Sequence, residues 1–276
     1  MAKYLTPVRV NEDGYELHFP PPTALEDIKY GIPDPFGESS VQLFPLGTRL
    51  VYGLREFRYA LMGGTSGMTG KLYQSVVPLA GHLDEVISSP VVGATTISFT
   101  PAVETTDDLA ANELADGFLW TNGTEAGLGE LYRIKSHPAI VGAVAGVLTL
   151  WDAIRVAPHA DLTASVLHNP YRKVIIHPSP PTAPVVGACP TAIKANYYCW
   201  LQTRGLCPVL CDGTTVVIGN WVVASPGTVS GTEVDGAVSL FGLSEGAPPT
   251  GGSRQIIGVV VAAAAAADYA LIDLRL

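Results

Sequence analysis

The loop Gly63-Gly64-Thr65-Ser66-Gly67-Met68-Thr69-Gly70-Lys71 holds the residue types that come nearest to a phosphate cradle. Such a cradle needs G-x-x-x-x-G-K followed by a Ser or Thr whose hydroxyl holds magnesium, and it opens a helix. Here Leu72 follows Lys71 and no amphipathic helix begins, so the loop reads as a plain hairpin turn. Ser66 stands in G-T-S-G-M, one residue out of frame for a hydrolase nucleophile, and no G-x-S-x-G occurs. The histidines, His18, His82, His137, His159, His168 and His177, are scattered, and three of them adjoin a proline. The pairs Asp84-Glu85 and Asp107-Asp108, and Asp161 beside His159, have the types for acid–base work or calcium. They read as solvated loop charges. Asn122-Gly123-Thr124 has the form of a glycosylation acceptor and is read as a tight turn, since both Asn and Gly tolerate positive φ. The expectation is no catalytic, cofactor-binding or metal-binding residues, no cofactor, and no enzyme activity.

The cysteines point the same way. Cys207 and Cys211 form C-x3-C, Cys199 stands eight residues earlier, and the nearest histidine is His177. The two-plus-two spacing of a structural zinc knuckle is missing. Cysteine is also a small, well-buried hydrophobe, so Cys189, Cys199, Cys207 and Cys211 are expected as reduced core thiols.

Any such groups must be positioned by a chain that is turn-rich and charge-poor. Of 276 residues, 29 are Gly and 22 are Pro, and only 15% are charged against roughly 25% in ordinary soluble domains. Hydrophobic residues make up 47%, which excludes disorder along the whole chain. With 16 Lys+Arg against 25 Asp+Glu the net charge is −9, so a nucleic-acid partner is not expected. The apolar run from Ile256 to Ala267 is 12 residues, short of the ~20 needed to span a bilayer, and no membrane segment is expected. Residues 1–7 lack the apolar centre of an export signal, so the expected place of synthesis is the cytoplasm.

Read along the chain, the pattern predicts an all-β protein: two small β-barrel or β-sandwich domains behind an extended, Pro-rich N-terminal arm. Residues 1–45 form the arm, broken by Pro20-Pro21-Pro22 and by Pro33 and Pro35 yet dotted with aromatic and aliphatic side chains. It either packs on a neighbouring subunit or lies as irregular coil over its own domain. Residues 46–177 form the first β domain, with strands at 48–52, 56–61, 95–99, 117–120, 131–134 and 147–151. A helix is expected near 107–114 and a turn at 164–167. Four prolines within residues 177–184 forbid helix and central strand, and residues 178–184 are taken as an interdomain linker. Residues 185–276 form the second domain, with strands at 185–188, 196–205, 207–210, 216–218, 221–224, 237–241, 256–261 and 270–276. In the last of these Ala270, Ile272 and Leu274 alternate with Leu271, Asp273 and Arg275, one face in and one out. The six alanines at 262–267 are too few to sustain a helix alone, and a short helical turn or a small-residue loop joining two strands is expected there. Trp120, Trp151, Trp200 and Trp221 lie inside strand patterns and are expected in the core, although exposed tryptophans would suit a carbohydrate-binding module.

The C-terminal third strings together V-V-G-A (185–188), Y-Y-C-W-L-Q-T-R-G (197–205), V-L-C-D-G-T-T (209–215), V-I-G-N-W-V-V-A-S (217–225), D-G-A-V (235–238), I-I-G-V-V-V (256–261) and Y-A-L-I-D-L-R-L (269–276). This order resembles virion structural proteins of tailed bacteriophages, and capsid cement or head-decoration proteins in particular. F-R-Y-A-L-M-G-G, G-E-L-Y-R-I and N-P-Y-R-K-V resemble them more loosely; Cys199, where Gly is usual, and the alanine run depart from the pattern. The resemblance implies a non-catalytic protein on the capsid exterior, made in the bacterial cytoplasm, bound to the major capsid protein and to itself as a homotrimer or homodimer. A tail, neck or fibre-base protein is the alternative that the same β composition would serve.

Overall fold

A computed structural model describes residues 15–18 (backbone), 33–88, 91–102, 108–122, 129–155, 163–225, 234–241 and 255–276. In chain order the strands are β1 Tyr15–His18, β2 Arg49–Tyr52, β3 Arg55–Leu61, β4 Leu72–Gln74, β5 Glu85–Val86, β6 Thr96–Phe99, β7 Phe118–Asn122, β8 Leu131–Ser136 and β9 Gly146–Leu150. They continue as β10 Thr163–Leu167, β11 Ile175–Ile176, β12 Val185–Ala188, β13 Tyr198–Leu210, β14 Trp221–Ala224, β15 Val238–Leu240, β16 Ile256–Ala262 and β17 Tyr269–Arg275. The all-β class holds, in two compact units each built on a curled sheet.

The division between the units differs from the sequence expectation. Residues 77–170 form one unit, while residues 1–76 and 171–276 together form the other. The Pro-rich stretch 178–184 is therefore no interdomain linker. The buried Gln74 side chain donates to Thr182 Oγ1 (2.8 Å) and accepts from the Ala183 N–H (3.2 Å), and Ser75 N–H donates to Pro184 O (3.2 Å). Prolines break local periodicity, but their carbonyls and neighbours still pair with a strand that comes from far away in sequence.

In the 77–170 unit the strand order is β5-β10-β7-β8-β9-β6, antiparallel throughout. The sheet curls until its edges meet: Ile87 bridges Phe99, Thr100 N–H donates to Val86 O (3.1 Å), and Ser88 N–H donates to Ser98 O (3.2 Å). Closure removes free edges, which would otherwise template pairing with other chains. Phe99, Leu119, Ile134, Leu148 and Val166 fill the interior. The helix expected near 107–114 is a run of turns at 111–116, because Asn112 and Asp116 adopt left-handed φ of 59° and 62° and stop helical propagation. Residues 164–167, expected as a turn, belong to β10.

The other unit runs β1-β2-β3-β13-β17-β16-β14-β15, with β4 pairing both β11 and β12. The segment 63–71 is not a hairpin turn, since β4 does not return against β3. Gly67 and Ile193 exchange hydrogen bonds (2.7 and 3.1 Å) and Met68 N–H donates to Tyr73 OH (2.7 Å), so the loop is packed into the unit. Within the expected arm, Tyr15–His18 pairs with β2, and residues 33–45 lie on the same chain: Ser39 bridges Tyr198, and the Phe44 ring meets Tyr59 and Trp200 at 5.3 and 5.4 Å. For residues 33–45 the coil over its own domain is what forms. Residues 1–14 and 19–32 lie outside the described residues.

β13 organises this unit. It is one strand of 13 residues, not two, pairing with β3 through its first half and β17 through its second. Between the halves Gly205 takes φ +81°, and the Gln202 side-chain amide donates to the carbonyls of Arg204, Gly205 and Leu206 (3.1, 3.3 and 3.0 Å). Pro208 fits because Leu210, two residues on, donates to Gly70 O (2.8 Å), so the nitrogen of Pro208 faces that side and not the β17 ladder. The amide of Gln255, just before β16, completes the wall with a paired contact to Val185, accepting its N–H (2.7 Å) and donating to its carbonyl (3.0 Å). Residues 216–218, expected as a strand, are irregular chain running into a turn at 217–220, and the alanine segment joins β16 to β17 as a loop ending at Ala267, φ 60°.

Candidate functional site

The groups singled out for chemistry are dispersed. His137 is spent on backbone, its Nε2 accepting from Leu114 N–H (2.8 Å) and its Nδ1 donating to Pro138 O (2.7 Å). His82 packs near Phe99, and His168 faces Glu113 at 3.8 Å. Asp108 accepts from Gly142 N–H (2.7 Å); its neighbour Asp107, along with His159, Asp161, Gly123 and Thr124, lies outside the described residues. Asp84 and Glu85 separate, since Glu85 enters β5 while Asp84 turns at φ 58° and its N–H donates to Ser165 Oγ (2.9 Å). Among the described residues no group of three His, Cys, Asp or Glu side chains could hold a metal ion.

All four cysteines are free and buried. Desolvation pushes the Cys189 and Cys207 thiols up to about 12 and raises those of Cys199 and Cys211. Cys199 and Cys207 stand eight residues apart on one extended strand, roughly 25 Å, far beyond disulfide reach. The thiolate is the reactive form. We therefore expect no thiol of the native protein to react with an aromatic disulfide reagent at pH 8, and four per chain to react once it is denatured; a native thiol reacting within minutes would contradict the burial.

A cleft of about 110 Å³ lies beneath residues 33–39, lined by Pro33, Asp34, Glu38, Phe44, Tyr59 and Trp200. Glu38 is held below the usual carboxylate range by Lys194, whose ammonium stands 2.6 Å away and whose backbone N–H also donates to it. The volume is well under the ~300 Å³ of an ordinary small-molecule pocket. Trp200 is buried at 3% exposure as part of the core, so its face is not a sugar platform.

The surface feature that stands out is the outward face of β13, β17, β16 and β14. In an antiparallel sheet with one wet face the outward positions are normally polar. Here the register aligns Leu206, Asp273, Val259 and Trp221 in one row across the four strands. The adjacent row runs Pro208, Leu271 and Ala262, and beside it Tyr269 pairs with Leu210. Leu206 is 44%, Trp221 41%, Val261 43% and Tyr269 49% exposed, and Pro208 is exposed as well. Ile218 extends the face from the 217–220 turn, which is tied to β16 by hydrogen bonds between Gly219 and Val260 and between Val260 and Asn220. Phe241, exposed, donates its N–H to Trp221 O (2.9 Å). The inward partners Val209, Val222, Ile257, Val260, Ile272 and Leu274 form the core beneath.

The charges on this face are few. The Arg275 guanidinium lies over the Trp221 ring at 5.5 Å and contacts Asp273 at 3.2 Å; Arg204, opposite Arg275 in register, stands 3.8 Å from Glu56. Tryptophan and arginine in a desolvatable apolar surround are the types that dominate protein interfaces. The sequence did predict the alternation of β17. The expected core placement holds for Trp200 and fails for Trp221, because an apolar side chain on the outer face of a strand has the same sequence signature as one on the inner face. No family model, curated protein or solved structure matches the chain.

Proposed function

We propose that this chain is a structural component of a tailed-bacteriophage virion, a decoration or cement protein that binds the major capsid protein on the outside of the head and acts by contact alone. The observation that carries the reading is the apolar outer face of β13, β17, β16 and β14, a surface suited to burial in an assembly of protein copies, which lies within the C-terminal segment whose motif order resembles such proteins. A cement protein must be rigid and present a surface for others to cover; long ladders, Gly-gated turns and inert buried thiols suit that task. The test is quantitative mass spectrometry and electron microscopy of purified virions. Hundreds of copies on the head are expected. A few to a few dozen copies at the tail, neck or fibre base would move the protein to that part of the particle, and absence from virions would overturn the reading.

A further inference from the structure

We propose that the apolar face of β13, β17, β16 and β14 is the contact between two copies of this chain, related by a two-fold axis. The proposal says what covers the face on which the capsid reading rests, and it is tested without virions.

The choice of occupant follows from charge. Residues 77–170 carry eleven acidic and three basic side chains, net −8, whereas residues 1–76 and 171–276 carry fourteen and thirteen, net −1. Nearly all of the chain's −9 thus belongs to the inserted unit. A basic partner would gain most by meeting that unit. The apolar face belongs to the nearly neutral one, and it fits a partner that is itself acidic and must be met where charge is lowest. A second copy has that character: it is acidic as a whole, and its matching face belongs to the unit of net −1, so the surfaces that meet carry little charge.

The face is also self-complementary. An isologous contact brings the same patch from both partners together, so each charge must find its opposite within the patch. Here Arg275 lies beside Asp273 on the face and Arg204 beside Glu56 of the adjoining β3, and a two-fold can pair these charges reciprocally with those of a second copy. Leu206, Trp221, Val261 and Tyr269 supply the apolar centre, and all are exposed, so replacing them leaves the core intact. Four strands at ~4.8 Å spacing and seven residues at ~3.4 Å rise give a patch of roughly 450 Å² on each copy. That lies near the lower limit for a specific interface, which sets the expected dissociation constant in the micromolar range.

The experiment is analytical ultracentrifugation of the full chain from 1 μM to 1 mM, at low and at 1 M salt. A monomer–dimer equilibrium is expected, undiminished at high salt because burial of apolar side chains, and not exposed ion pairing, holds the contact. Trp221→Glu and Leu206→Glu should each weaken it at least about 100-fold, because each change is made twice across the axis and buries a charge. Val144→Glu, at an exposed apolar position in the 77–170 unit, should leave it unchanged. Circular dichroism and thermal melts of every variant should match the parent. A monomer throughout the range, a dimer that salt dissociates, or a dimer indifferent to both face substitutions would overturn the proposal. Dimerisation without virion binding would remove only the functional reading above.

Discussion

Replacing Gly205 by alanine is expected to destabilise the larger unit by about 4 kcal/mol. Two effects add. The residue sits at φ +81°, a left-handed conformation that costs an L side chain roughly 1–2 kcal/mol. A methyl group there would also stand 2.4 Å from Leu54 O, a backbone atom at the β2–β3 turn that cannot rotate away, which adds the roughly 1–3 kcal/mol of overpacking. Gly53 separates the two contributions: it has φ +58° with open space around it, so Gly53→Ala meets only the first. Calorimetry should show the transition of the unit containing β13 falling by about 10 °C in Gly205→Ala and by only a few degrees in Gly53→Ala. The transition of the 77–170 unit should hold its place. Equal shifts for the two variants would remove the steric argument and leave only the dihedral one.

The second large effect is on pH dependence. His177 is 3% exposed, and among the described residues neither ring nitrogen has a hydrogen-bond partner. Its backbone is fully used: His177 N–H donates to Leu72 O (3.0 Å), His177 O accepts from Gly236 N–H (2.7 Å), and Leu72 N–H donates to Gly236 O (2.7 Å). The ring is thus fixed in a seam between β4 and the 234–237 turn. Desolvation pulls its pKa down to about 4, only partly opposed by the Asp235 carboxylate. Because the folded pKa lies below the unfolded value of about 6.5, the unfolded chain takes up the proton first as pH falls. The His177 contribution to stability is therefore level above pH 6.5, declines between 6.5 and 4, and has lost on the order of 3 kcal/mol below that. Denaturant midpoints measured across this window should fall for the parent, and the difference from His177→Leu should carry the decline. At neutral pH His177→Leu should be at least as stable as the parent, since it removes two unsatisfied buried nitrogens. Parallel pH curves for the two proteins would refute the assignment.

What the sequence made legible, and what it hid, follows from the range of the interactions. Strands bounded by Gly, Pro, Asn or Asp, such as β3, β7, β14 and β17, declare themselves because their limits are local. β10 does not, because Thr-Ala-Ser-Val-Leu has little apolar contrast and is made a strand by pairing with β7. The prolines at 178–184 have the composition of a boundary, whereas the boundaries of the units fall near 76 and 171. Non-local pairing decides both cases. The candidate face was legible only in part: the alternation Leu271, Asp273, Arg275 is visible, but the four-strand row Leu206, Asp273, Val259, Trp221 exists only once the register of three separate ladders is known.

The placement of residues 77–170 has a consequence for assembly of the chain itself. The strands on either side of it, β4 and β11, are hydrogen-bonded to each other, with Gln74 opposite Ile175. To the sheet it leaves, the whole inserted unit is a hairpin connection. Closing a loop of that length costs only about 3 kcal/mol more than closing a four-residue turn, because the entropy grows with the logarithm of length, and a cassette that folds first holds its own ends together and lowers even that difference. The acidic unit is therefore an exchangeable module, one that a short turn could replace or another domain could occupy while the β13 sheet keeps its register.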